Sequence, residues 1–435
     1  MRVAAFAVSA SFVSLALAAV CSSAGAQESQ IATLRAATTA APGDASAGLS
    51  LGRALRRAGH LKEAGAELRR ARAIAGPSVA LAVDWERERL EYDRRDYFQA
   101  IVVCKDIASL PGKVGAGAPE HGCLAAAELV RQRATEALNE TALALAKDPR
   151  CFEAKLAEGR AYSLQLDGTR AEASLRAAMG LQPTSVEPFL ELGRVLERQG
   201  KHDDAVADLR SAVQLDPHAP DALFALASAM GPWGGAERLD LLKRATDERP
   251  SFLEAWLALG AGLLDANRVG DAKAAASAAL QVDATSAPAR ILLGKIALIE
   301  GHPDEAIDDG RAALKVMANS AAATLLVADG QAKKGELDLA LEAYQAAWGL
   351  DHGDPTPLVH ASEACHTGGR DTSARAFGIK ATQEFPKWGP GWAALGDALV
   401  GQNERLAARD AYRRALAGDG LPSASGVQAK LAALQ

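Results

Sequence analysis

Along most of the chain apolar residues fall three and four apart with polar residues between them, the spacing of one buried helix face. Phe189, Leu192, Gly193 and Leu196 form such a stripe at i, i+3, i+4 and i+7. Gly200 interrupts it, and Ala205, Leu209 and Ala212 form a second stripe. Pro217 ends that one, because proline cannot continue a helix interior. One pattern unit is therefore predicted as a helix, a turn and an antiparallel helix. Runs of Val, Ile, Thr and aromatics bounded by turns, which would predict strands, are hard to find. The chain reads as all-α.

The unit recurs. An alanine about five residues past a turn stands at Ala64, Ala100, Ala137, Ala171, Ala205, Ala272, Ala306, Ala340, Ala374 and Ala408. Most successive gaps are 34 residues, whereas Ala205 to Ala272 is 67, so a degenerate unit lies between them near Leu239. Gly193 and Ala205 are expected where the two helices of a unit cross, and Ala212 towards the next unit, since larger side chains would push the axes apart.

This pattern resembles the tetratricopeptide repeat, a 34-residue unit with a large residue, Leu-Gly, Tyr or Leu, Ala, an aromatic or Leu, Ala and Pro at set offsets. Trp256, Leu259, Gly260, Leu263, Ala272 and Ala279 repeat it, as do Trp392, Leu395, Gly396, Leu399, Ala408, Tyr412 and Ala415. Gly159, Tyr162, Ala171, Leu175, Ala178 and Pro183 form a third copy. The resemblance covers about residues 45 to 420 and implies a right-handed α-solenoid of roughly eleven helix-turn-helix units. Residues 45–149 read as irregular units, 150–420 as a regular array, and 421–435 as a helix capping the exposed apolar end.

The irregularity sits in two places. Gaps of 36 and 37 residues precede and follow Ala100, and the extra length falls in "LPGKVGAGAPEHG", residues 110–122. Its Gly115-x-Gly117 lacks the preceding strand and the Gly-Lys-Ser/Thr ending of a phosphate loop. "AMGPWGGAERL", residues 229–239, has lost a residue and placed Pro232 between glycines, which reads as a tolerated shorter turn or as a bend.

The N-terminus breaks the pattern altogether. One positive charge, an apolar run and the small residues Ala24-Gly25-Ala26 read as a secretory signal peptide cleaved before Gln27, leaving residues 27–44 as a linker. An uncleaved anchor over residues 3–20, or a lipoprotein site at Cys21, are the alternatives. The expected location is the periplasm, or a secreted state, with no membrane span after signal removal.

Composition narrows the function classes. Of 435 residues 49% are hydrophobic and 5% aromatic, so the core is built mainly from alanine and leucine. A formal charge of -6 argues against a general affinity for nucleic acid, which needs a basic footprint. Beyond the leader stand Cys104, Cys123, Cys151 and Cys365, too few for a disulfide scaffold. Cys104 and Cys123 fall on neighbouring helices, so a bridge between them is feasible; buried apolar thiols are the alternative.

The chain carries no Walker loop, Gly-x-Ser-x-Gly, His-Glu-x-x-His or Cys-x-x-Cys, so no catalytic residue, cofactor or metal is assigned. In "HASEACH", His360 and Cys365 point about 140 degrees apart on a helix, which suits a packed cysteine beside surface histidines better than a metal. His202, Asp203 and Asp204 precede Ala205, and that register makes the two carboxylates helix-start residues that accept from free backbone amides.

The resemblance implies that first helices line a groove that holds a protein or peptide partner. Projected onto this sequence, the groove carries Arg53, Arg56, Arg57, Arg89, Arg160, Arg194 and Arg198, with Trp85, Tyr92 and Glu197. Further on it carries Leu257, Leu264, Ile291, Leu298 and Ile299, then Asp329, Glu363 and Asp397 with Lys295 and Lys333. The groove runs from basic to acidic through an apolar middle, or these are ordinary solvated helix faces. It has no asparagine, so the carboxylate-clamp type of partner is not expected. The expected function is a non-enzymatic exported scaffold or adaptor; an accessory subunit of an envelope enzyme complex is the alternative.

Overall fold

The computed structural model of the protein describes residues 28–93, 99, 102–104, 118–421 and 423–434. The leader with Cys21, Ala100 and the Gly115-x-Gly117 run lie outside the described residues. Among the described residues there is no β-strand, only an isolated bridge between Trp388 and Asp419. None of their helices is long and apolar enough to cross a membrane.

The chain divides into two compact units, one ending at Ala255 and the other beginning at Trp256. Each is a stretch of α-solenoid built from antiparallel helix pairs. In the N-terminal unit, Ala45–Arg57 pairs with Leu61–Ile74, Ala118–Val130 with Ala134–Lys147, Phe152–Leu164 with Gly168–Leu181, and Val186–Arg198 with His202–Leu215. The C-terminal unit repeats the arrangement from Ala287–Glu300 with Pro303–Val316 to Gly389–Gly401 with Arg405–Ala417. Within each unit a first helix also touches the first helices of the neighbouring pairs, as Val186–Arg198 touches Phe152–Leu164 and Pro220–Ala229. Contact along the first helices puts their faces on the inner side.

The turn inside each pair follows one rule. Five residues before the recurring alanine, the backbone is left-handed at Gly59, Gln132, Leu166, Gly200, Asn267, Gly301, Gly335, Gly369 and Asn403, with φ between 57° and 84°. A side chain in that conformation costs about 1–2 kcal/mol, which glycine avoids and asparagine reduces. Gln132 and Leu166 depart from that preference, and Leu166 is the apolar one: it takes φ 61° with 82% of its surface exposed. The degenerate pair, Pro220–Ala229 with Gly235–Glu248, turns instead through a short 3-10 helix, Gly231–Gly234.

Glycine at the crossing has a different cause. A Cβ at Gly193 would meet Leu209 Cγ at 2.4 Å, and one at Gly159 would meet Leu175 Cγ at 2.6 Å. At Gly396 it would meet Tyr412 Cε1 at 2.4 Å. The crossing is therefore filled by the large side chain four residues past the recurring alanine. Gly193→Val is expected to destabilise its helix pair by about 1–3 kcal/mol through overpacking. Urea unfolding of Gly193→Val with and without Leu209→Ala checks this; independent, additive effects of the two substitutions would contradict it.

Two ends differ in kind. Residues 28–40, expected as a linker, are helical, and Ile31, 1% exposed, is buried with Leu51, Leu55 and Leu68. Ile31 and Leu34 are the only large apolar residues of this stretch, a weak periodic signal, which is why the helix escapes the pattern. At the other end Ala424–Ala432 lays Val427, 6% exposed, on the core of the last pair, with Leu431 and Leu434 beside it.

Candidate functional site

In the N-terminal unit four successive first helices enclose a groove of about 750 Å³. Arg160 and Arg194 line it because each follows the crossing glycine of its helix, and one residue on is about 100° round the axis, from the partner helix to the inner face. Leu164 and Arg198 stand one turn further along the same face. Leu129, Val130 and Phe224 supply apolar walls, and Ser228 stands exposed at one end.

The groove arginines are not bare charges. Arg160 Nε donates to Glu191 Oε1 at 3.0 Å, and Arg194 lies 3.6 Å from the same oxygen. Burial works against the charged Arg160, yet the charges of Glu191 and Glu187 outweigh it and hold its pKa above the ordinary arginine value. Glu197 turns towards His202 Nδ1 at 2.9 Å. Arg198 donates to Ser163 Oγ, and no carboxylate pairs with it among the described residues.

The remaining N-terminal arginines gather elsewhere. Glu86, whose side chain is 1% exposed, accepts from Arg56 Nε at 2.6 Å and Arg53 Nε at 3.1 Å, with Arg89 at 3.9 Å. Arg89 also pairs with Glu187, and Arg57 reaches Asp216 at 3.4 Å. Burial raises the Glu86 carboxyl, but Arg56, Arg89 and Arg53 together hold it below its ordinary range. Trp85 packs beside Cys104 and Cys123, and the side chain of Tyr92 lies outside the described residues.

Cys104 and Cys123 are joined by a disulfide, with Cα atoms 5.4 Å apart. Glu88 lies within 4.8 Å of both sulfurs, a cluster of metal-ligating atom types. Sulfurs bonded to each other are not thiolates, however, and the thiolate is the metal ligand. Cys151 and Cys365 are free and buried, and burial pushes the Cys151 thiol up to about 12, with Glu153 and Asp148 adding to the shift.

In the C-terminal unit Asp329 and Asp397 occupy the same place in their repeats and make the same bonds. Asp329 accepts from Tyr344 Oη and His360 Nδ1, both at 2.8 Å; Asp397 accepts from Tyr412 Oη at 2.7 Å and from Lys430 Nζ. Burial alone would lower His360, but Asp329 with Glu363 and Asp354 holds its pKa above the ordinary histidine value. Burial raises the Glu363 carboxyl, and the charges of Asp397 and Asp329 add to it against the pull of His360 and Lys430. Lys295, Lys333 and Ile299 are exposed, whereas Leu257, Leu264, Ile291 and Leu298 are half-buried. His366 pairs with Asp371 at 2.6 Å, while Cys365 is buried with Ala374 and Ala398. Asp203 and Asp204 lie in the first turn of His202–Leu215, whose start has no side-chain cap, so their role there is electrostatic.

The fold and groove define an all-α protein of stacked helical hairpins that presents its first helices inwards. Two tetratricopeptide repeat models match, over residues 186–229 and 257–316, and the chain is a tetratricopeptide repeat protein. No curated protein matches it. Among solved structures, yeast Tom70 aligns over 97% of this chain and 96% of its own at 13% identity and a TM-score of 0.46. The Cut9-Hcn1 hetero-tetramer of the APC/C aligns over 94% and 87% at 18% identity and 0.42. A tetratricopeptide repeat protein from Parabacteroides merdae ATCC 43184 aligns over 65% and 98% at 17% identity and 0.41.

Proposed function

We propose that this protein is a non-catalytic, exported adaptor that holds a protein partner along the first-helix groove of its N-terminal unit. The observation that carries the reading is the groove of about 750 Å³ with apolar walls and guanidinium groups on its rim, built from four successive first helices. Such a cleft has the mixture of apolar contact area and oriented polar groups that peptide recognition uses. Tetratricopeptide repeats are interaction modules, and the apolar leader ending Ala24-Gly25-Ala26 supports export.

The test places a photocrosslinking residue at Ser228, in the groove, or at Lys243, exposed on the second helix of the same pair. In extract of the source organism, Ser228 is expected to give discrete protein adducts that Lys243 does not. Equal labelling from both positions would overturn the groove reading. Export is checked by N-terminal sequencing of the protein recovered from the periplasm, with Gln27 expected first.

A further inference from the structure

Charge in the groove does not balance. Three guanidinium groups, Arg160, Arg194 and Arg198, line it against two carboxylates, Glu191 and Glu197. Glu191 serves both Arg160 and Arg194, and Glu197 turns to His202, which leaves Arg198 on a neutral hydroxyl. A guanidinium held by one serine keeps donors for a bidentate carboxylate.

Arg198 also stands at a junction. Together with Ser163 it lines both the groove and a smaller depression of about 540 Å³ at the turn edge, where Leu166 and Lys201 lie. Lys201 is already paired with Glu172 at 3.0 Å, so Arg198 is the cation left for an incoming anion at this edge.

Leu166 supplies the second, independent observation. Of the nine turns with this left-handed residue, five carry glycine, two asparagine and one the polar Gln132, whereas this one alone carries an apolar side chain, a leucine 82% exposed. The fold recovers nothing from that side chain, since it is strained where it stands and open to water. Leu166 and Arg198 line the same depression, so an exposed apolar side chain and a cation without a carboxylate stand together at this edge.

We propose that the N-terminal groove takes an extended segment of a partner protein in which an acidic side chain lies between apolar ones. Its carboxylate sits on Arg198, one apolar neighbour packs between Leu164 and Phe224 inside the groove, and the other covers Leu166 at the edge. This rests on the groove being the protein-binding face and adds the chemistry of what it binds.

The experiment selects a displayed library of random linear peptides on the full chain. Binding of the enriched peptides is then measured by fluorescence anisotropy. Enrichment of Asp or Glu flanked by Leu, Ile or Phe is expected. Arg198→Gln is expected to weaken these peptides about tenfold or more, and Arg198→Lys less, because an ammonium cannot form the planar fork. Leu166→Gly should weaken them about threefold while raising the thermal midpoint, which separates lost contact from lost folding. Peptides that crosslink at Ser228 but show no acidic enrichment, or that lose less than about twofold on Arg198→Gln, would overturn the acidic-apolar assignment and leave the groove reading standing. Selection of peptides that never crosslink at Ser228 would remove both.

Discussion

Glu86→Gln is expected to cost the N-terminal repeats about 3 kcal/mol, the low end for breaking a buried ion pair from one side. The carboxylate is almost wholly removed from water and is the common acceptor of Arg53, Arg56 and Arg89. An amide of the same shape keeps the packing and removes the buried charge that the three guanidinium groups share. Arg53 and Arg89 are about half exposed and can rehydrate, whereas Arg56 is 18% exposed and cannot turn away freely. Most of the loss is therefore assigned to Arg56, and Glu86→Gln with Arg56→Gln should recover part of it.

The pH dependence has a definite sign. The folded Glu86 pKa lies below its ordinary value of 4.5, so its stabilisation is fully present above that value and is lost as pH falls through the folded one. Wild type and variant should thus differ at neutral pH and converge in acid. Repeats open locally, so the measurement is native-state hydrogen exchange at Ala45–Arg57 and Pro77–Asp93, with helices beyond Trp256 as the internal reference. A difference under about 1 kcal/mol at neutral pH, or one that persists unchanged in acid, would contradict the argument.

The alanine period and the crossing glycines made the helix pairs legible, because each is a steric requirement met inside about twenty residues. The same steric requirement places Arg160 and Arg194: a residue next to Gly159 or Gly193 faces inwards. Their partners were not, since Glu191 lies 31 residues past Arg160 and Glu86 lies 33 past Arg53. Those offsets fall just short of one repeat, and Asp329 with His360 and Asp397 with Lys430 repeat them at 31 and 33. Pairing each first-helix charge with the residue 30 to 33 further on would have found the contacts, a signal visible only once the period is known. The Arg89 pair with Glu187, 98 residues away, depends on how the repeats of the N-terminal unit curve, which no local pattern encodes.

Replacing Cys104 and Cys123 by alanine together should destabilise the repeats around them by about 3 kcal/mol, the closure entropy of a loop of this size. Both sulfurs are fully buried, and the bridge ties residues 102–104 to helix Ala118–Val130 across a sequence separation of 19. Among the described residues Val103, Trp85 and Leu124 form an apolar cluster with it, beside the Glu88 carboxylate, 3.6 Å from Cys123 Sγ. Alanine rather than serine keeps a second polar group from being stranded next to Glu88. Hydrogen exchange in Ala118–Val130 should accelerate while helices beyond Trp256 are unchanged. The unreduced chain from Gln27, denatured, should show two reactive thiols, Cys151 and Cys365. Four reactive thiols, or unchanged protection in Ala118–Val130, would leave packing alone to hold these helices together.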